Sequence, residues 1–456
     1  MAPEGAPGRR AFLRSLAVGP LAGVGCVSRE AAPSVAVRAS ALTDESVAVE
    51  VEGLEPRTSV VLRASAASRD GSTWASRARF EVGDDGRLPV SSRAPVEGTY
   101  GTADAMGPFW SKRAAGTAPG ASLPPDALFV PGESGYEVAL AAEVGGETVA
   151  TATTTRRLFD PDIERRAVEH PDLVGRFFAP PGGGPAPGVV HLHGAGGRPH
   201  LVTGRLLASR GFAALVLQYF GDPEPIPDGL VEVPVEYVER AVEWLRTRDR
   251  VSGRVGLVGF SRGGSLALLA ASRCEGVGAV VGWVPSGVVW EGLTPRRRPA
   301  GTSAWSVGGE PVPYLEMAEA EPGPPPSPAL PYFEPALTDA TGGELRTASV
   351  PVEEADAPIR LVSVTDDARW PSTALCERVV DRLDEHDYPH ERRHDRYEGA
   401  GHYLRLPYLP TPGTTRDRYR VYGGDPAANA RASAGAWLGT RSFLGRALGD
   451  RTTPTG

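Results

Sequence analysis

Leu257-Val258-Gly259-Phe260-Ser261-Arg262-Gly263-Gly264 stands between a strand-like run, residues 254–258, and a helical run, residues 265–271. A Gly-x-Ser-x-Gly motif at such a junction is what a nucleophile elbow requires, because a serine on a sharp turn projects its hydroxyl above the end of a sheet. Small residues flank it since a strained backbone and a close strand–helix approach leave no room for Cβ atoms. In a chain with 56 glycines the motif alone says little. The strand before it and the helix after it give it meaning, and Ser261 becomes the candidate nucleophile. The bland alternative is a glycine-rich turn with an inert serine.

Outward from the elbow, apolar runs alternate with helical patterns from Gly188 onward. That rhythm predicts a mostly parallel sheet with helices on both faces. Strands are expected at 188–193, 212–219, 254–258, 277–284, 359–364 and 393–397. A helix is expected over 235–245, where Val235, Val238, Ala241, Val242 and Leu245 recur at helical spacing. With the elbow, this reads as an α/β-hydrolase domain over residues 165–449. Residues 286–357 interrupt it with a Pro/Gly-rich stretch, expected as an insertion over the carboxyl edge of the sheet. Residues 36–155 read differently, as short alternating runs broken by Gly, Pro, Asp and Ser, which predicts an antiparallel β-sandwich. A bridge at about 156–175 joins the two.

A triad on this fold runs Ser, then acid, then His along the chain. The strand at 359–364 ends in Thr365-Asp366-Asp367, and the next strand ends in Glu398-Gly399-Ala400-Gly401-His402. Carboxylates just past a strand end lie where ligands bind. Of the eight histidines, His402 alone follows both the acid and a strand in a glycine turn. In this arrangement His402 takes the proton of Ser261 and returns it to the leaving group, while Asp367, favoured over Asp366, fixes the imidazole tautomer. Asp366 is expected to cap the helix beginning near Ser372. An oxyanion hole needs two backbone N–H groups. Arg262 is the candidate for one, and Ala195 or Gly196, in the loop His193-Gly194-Ala195-Gly196-Gly197, for the other.

Composition narrows the function classes. The net charge is −8, so there is no electrostatic case for nucleic-acid binding. Lys112 is the only lysine, which leaves none near the elbow as base or Schiff-base former. His191 and His193 share a strand face, but no third ligand has suitable spacing, so neither a metal nor a cofactor is expected. Three cysteines imply no disulfide framework. Residues 1–26 read as an export signal: Arg9-Arg10-Ala11-Phe12-Leu13-Arg14 has the twin-arginine pattern, followed by a short apolar run to Cys26. Cys26 is a candidate site of lipid attachment, and so of membrane anchoring.

With these residues in place, the chain resembles the acyl-CoA thioesterases related to bile acid-CoA:amino acid N-acyltransferase. The resemblance is carried by Gly259–Gly264, Asp366-Asp367-Ala368-Arg369-Trp370-Pro371-Ser372 and Gly401-His402-Tyr403. Pro407-Tyr408-Leu409-Pro410, Tyr422-Gly423-Gly424-Asp425-Pro426 and Ala436-Trp437 add to it, as do Ala41-Leu42-Thr43-Asp44-Glu45 and Asp104-Ala105-Met106-Gly107-Pro108-Phe109-Trp110 in the amino-terminal part. It implies a serine acyl hydrolase acting on acyl-CoA thioesters, with Asp367 as the triad acid. The acyltransferase branch uses cysteine as nucleophile, so serine here leans towards water as acceptor. Transfer to an amino acid, and hydrolysis of a non-CoA ester by an exported carboxylesterase, are the alternatives. A third, an anchored binding protein with a lost active site, sits poorly with intact Ser261, Asp367 and His402. An export signal conflicts with a CoA substrate.

Overall fold

The computed structural model describes residues 32–449 except 119, 125, 223 and 322. The twin-arginine stretch and Cys26 lie outside the described residues.

Two sheets form the amino-terminal half, antiparallel except where Ser40–Leu42 pairs in parallel with Glu147–Arg157. The smaller pairs Ser34–Val37, Val49–Glu52 and Leu88–Pro89. The larger is built around Ser59–Ala67, Thr73–Glu81, Gly135–Val144 and Glu147–Arg157. Ser59–Ala67 alternates buried and exposed positions along its length, as a strand with one wet face must. Val49 and Val51 of the smaller sheet share one buried cluster with Val60, Leu62, Trp74 and Phe80 of the larger.

The second half is an eight-stranded sheet. Its strands in chain order are β1 (Glu164–Ala167), β2 (Val174–Ala179), β3 (Ala186–Leu192), β4 (Ala213–Gln218), β5 (Val251–Phe260), β6 (Val277–Trp283), β7 (Ile359–Val364) and β8 (Arg392–Tyr397). In space they run β1-β2-β4-β3-β5-β6-β7-β8, and only β2 opposes the others. Successive residues feed opposite faces. Val190, Leu257 and Val280 pack in the cluster that holds α2 (Glu236–Arg246), α3 (Arg262–Ala271) and α4 (Ser372–Glu385). Val189, Val258 and Val281 pack against α1 (Leu201–Ser209) and α5 (Pro426–Leu448). This is the α/β-hydrolase architecture, with the amino-terminal sheets preceding it.

The bridge expected at 156–175 instead contains β1 and the start of β2. Cys274 lies just beyond the end of α3. Residues between β6 and β7 form short strands and two helices, Leu330–Asp339 and Gly342–Ala348. Trp290 and Phe333 from this insertion pack with Trp370 near the carboxyl ends of the strands.

The two halves are joined by a buried carboxylate. Asp44 accepts hydrogen bonds from Arg210 at the end of α1 and from Trp437 of α5, 2.9 and 2.8 Å long.

Candidate active site

Between β5 and α3 the chain reverses at Ser261, whose φ of 56° and ψ of −124° are unfavourable for any residue with a Cβ. Such strain costs about 1–3 kcal/mol and persists only where the surroundings enforce it. They do so here: the Ser261 N–H donates to Trp283 O (2.8 Å), and its carbonyl accepts from Ser265 N–H (3.1 Å). The motif glycines are needed because the strand and helix nearly touch. A Cβ on Gly259 would lie 2.0 Å from Gly263 O.

Asp367 and His402 reach the serine from the ends of β7 and β8. His402 Nε2 is 3.0 Å from Ser261 Oγ, and His402 Nδ1 is 2.9 Å from Asp367 Oδ2. All three residues are buried, between 6% and 8% exposed. The other Asp367 oxygen accepts the N–H groups of Arg369 (2.9 Å) and Trp370 (3.3 Å), which fixes the carboxylate against rotation. Trp370 in turn donates its indole N–H to Val284 O, and its ring meets the His402 imidazole edge-on at 5.9 Å. Phe260 flanks the other side of that imidazole at 5.4 Å. The His402 backbone N–H is held by Tyr422 O, and Gly401 sits where a Cβ would be 2.2 Å from Gly423 O. That turn is therefore glycine because two chain segments cross there.

Asp366 faces elsewhere. Its Oδ2 accepts the Gly424 N–H at 2.8 Å, so it braces the loop before α5 and does not cap α4 as the sequence suggested.

The residues read as oxyanion donors lie in two segments next to the nucleophile, the start of α3 and the loop after β3. Arg262 opens α3, where the first N–H groups of a helix have no intrahelical acceptor. The loop after β3 turns through Ala195 and Gly196, closed by Gly197 N–H to Gly194 O at 3.2 Å. It abuts the elbow: a Cβ built on Gly194 would be 3.3 Å from Ser261 Cβ. Burial pushes the His193 imidazole down to about 4, so it is neutral near pH 7. Its Nδ1 then donates to Gly194 O at 2.9 Å, while its ring stacks on Tyr219 at 4.2 Å. These contacts hold the loop in place.

The sequence reading missed the fate of the Arg262 side chain. Its guanidinium is 2% exposed, donates to Glu291 O, and lies over the rings of Phe333 and Trp370. Burial lowers its pKa to about 10, which leaves it charged at neutral pH. Among the described residues no cluster of His, Cys, Asp and Glu could hold a metal ion.

A profile described as "BAAT / Acyl-CoA thioester hydrolase C terminal" matches residues 233–450. A second, "Acyl-CoA thioester hydrolase/BAAT N-terminal region", matches residues 44–170. The chain belongs to this family. Members similar to it include the peroxisomal succinyl-coenzyme A thioesterase of Mus musculus, 28% identical over 89% of this chain and 94% of that one. The mitochondrial acyl-coenzyme A thioesterase 2 of Mus musculus is 27% identical, over 90% and 88%. Acyl-coenzyme A thioesterase 1 of Homo sapiens is 27% identical over 89% and 94%. The two profiles fall on the two halves of the fold, and the carboxyl-terminal one contains Ser261, Asp367 and His402.

Proposed function

We propose that this chain hydrolyses acyl-CoA thioesters through a covalent acyl-enzyme formed on Ser261. The supporting observation is the unbroken line from Ser261 Oγ through His402 to Asp367, with both links at hydrogen-bond length. Ser261 Oγ attacks the thioester carbonyl carbon as His402 Nε2 takes its proton. Asp367 holds the imidazole with Nδ1 protonated and stabilises the imidazolium. The negative oxygen of the tetrahedral intermediate is met by the Arg262 N–H and by that of Ala195 or Gly196. Collapse breaks the C–S bond, and His402 protonates the departing CoA sulfur. Water, deprotonated by the same imidazole, then cleaves the ester to give the free acid and Ser261.

The test is release of free CoA thiol from acyl-CoA by the purified protein, with and without glycine or taurine. The reading predicts turnover that Ser261→Ala abolishes and a free acid as product. Amide formed with glycine or taurine would assign the chain to acyl transfer, and folded Ser261→Ala with full turnover would end the proposal.

Export, with lipid attachment at Cys26, is a separate part of the proposal and rests on the Arg9-Arg10 pattern and the apolar run alone. Fractionation and the mass of the amino-terminal peptide test it. A protein retained in the cytoplasm and uncleaved would set export aside. An exported, cleaved protein would instead favour a non-CoA ester or thioester as substrate.

A further inference from the structure

One residue after Ser261, the Arg262 side chain is buried, a position that costs free energy unless the charge is paired and hydrogen-bonded. Among the described residues its guanidinium makes one hydrogen bond, from Nη2 to Glu291 O at 3.1 Å, and no carboxylate lies within salt-bridge distance. The Glu291 carboxylate attracts it from farther off, but both of its oxygens are taken, by the N–H groups of Gly301 (2.7 Å) and Met317 (3.2 Å). Packing alone gives no reason for the charge. An uncharged side chain of similar length would fill the same space without the desolvation cost.

What the guanidinium does meet is a pair of rings. Its central carbon lies 5.7 Å from the centre of the Trp370 ring and 5.8 Å from that of Phe333, both within reach of a cation–π attraction. Phe333 is wedged between Trp290 and Trp370, edge-on to each, at 4.9 and 5.7 Å. Trp370 carries the contact into the triad by two routes. Its backbone N–H holds Asp367 Oδ1, and its ring stands against the His402 imidazole. The charge therefore belongs to the segment that carries the nucleophile, and the ring to the segment that carries the acid. Their attraction fixes the start of α3 against the turn after β7.

We propose that Arg262 is a positioning residue, whose side-chain charge clamps Trp370 and so holds His402 and Asp367 in line with Ser261. The inference rests on the thioester-hydrolase reading and concerns the guanidinium, apart from the backbone N–H of the same residue. A contact that only keeps the proton path aligned is lost from kcat and not from KM. A misplacement of about 1 Å at a reacting group can cost about a hundredfold in rate.

The experiment measures kcat and KM of the full-length protein for dodecanoyl-CoA, and the rate at which an alkyl fluorophosphonate labels Ser261. The second reading needs the proton path but no CoA. Arg262→Met, similar in length but uncharged, should lower kcat by about 10- to 100-fold, slow labelling by a similar factor and leave KM within about threefold. Arg262→Lys keeps a cation that the rings attract and should recover most of the loss. Without its ring Trp370 gives the charge nothing to clamp, so Arg262→Met added to Trp370→Leu should cost less than about twofold more than Trp370→Leu alone. If Arg262→Met does not fold, Arg262→Gln takes its place in each comparison. An uncharged variant with kcat within about threefold of wild type, or a loss confined to KM, would overturn the inference. So would Arg262→Lys as slow as Arg262→Met, or losses that multiply in the double variant. Ser261→Ala separates the two claims: if it abolishes turnover while Arg262→Met keeps kcat, the hydrolase reading stands and the positioning role falls. Were no acyl-CoA turned over by wild type, the labelling rates would still decide the role of Arg262.

Discussion

At the carboxyl edge of the α/β sheet, and again inside the amino-terminal sheets, polar side chains are removed from water, yet the two places handle the cost differently. Ser261, His402 and Asp367 are joined in line, and the carboxylate is further held by two backbone N–H groups. Lys112 and Arg156 are both fully buried, and no carboxylate among the described residues lies within salt-bridge distance of either. Lys112 donates to Phe109 O, Arg156 donates to Thr43 O and Glu45 O, and both cations lie against the Phe109 ring. Arg156 Nε and Nη1 and the hydroxyls of Tyr136 and Thr154 have no partner. Burial of polar groups therefore does not by itself mark a site. What distinguishes the first cluster is a continuous path for one proton, placed at strand ends on a strained turn.

The contrast is broken most sharply by removing the base. His402→Ala should lower kcat for thioester hydrolysis by about 10⁴-fold or more, and Asp367→Asn by about 10⁴-fold. A loss below tenfold in either, with the fold intact, would reduce the line of hydrogen bonds to a packing feature. Asp44, the buried amino-terminal carboxylate whose partners lie in the α/β half, should matter to stability instead. Its replacement by Ala leaves Arg210 with Glu45 alone and the Trp437 indole N–H without its acceptor, and should cost about 2 kcal/mol in urea unfolding. An unchanged midpoint would show that this carboxylate does not help to hold the two halves together.

Much of this was legible in the sequence for a physical reason. An elbow needs glycines at fixed offsets, and an acid and a base that follow strand ends keep their order along the chain, so Ser261, Asp367 and His402 stand out without coordinates. The choice between Asp366 and Asp367 was harder, since adjacent residues differ only in the direction a turn gives their side chains. Phe177, Phe178 and Ala179 gave β2 too short a run before Pro180 to separate from a linker. Glu147–Arg157 hides because Thr and Ala on a wet face carry little hydrophobic signal, although Gly145-Gly146 before it marks a hairpin turn. The burial of Arg262 among rings from the insertion depends on contacts far apart in the chain, which no local pattern encodes.

Smaller effects sharpen the comparison. Asp366→Asn should retain activity and cost only about 1 kcal/mol, the loss of one charge-assisted bond to Gly424 N–H. An activity loss as large as that of Asp367→Asn would mean the wrong carboxylate has been assigned. Lys112 should reveal itself through pH. Burial, then the Arg156 charge, holds its pKa well below 10.5. The folded state therefore binds its proton more weakly than the unfolded chain, and stability rises with pH towards the ordinary lysine range. Relative to Lys112→Met, wild type should gain stability between pH 7 and pH 9 in denaturant titrations. A wild-type curve that falls against the variant over that window would show the ammonium to be paired after all.

Covalent labelling tests the central claim most directly. The full-length protein is treated with an alkyl fluorophosphonate, and the modified peptide is located by mass spectrometry. The account predicts a single adduct on Ser261, absent from Ser261→Ala and formed far more slowly in His402→Ala. Folded protein that hydrolyses thioesters while Ser261 stays unmodified, or that carries the adduct on another residue, would contradict it.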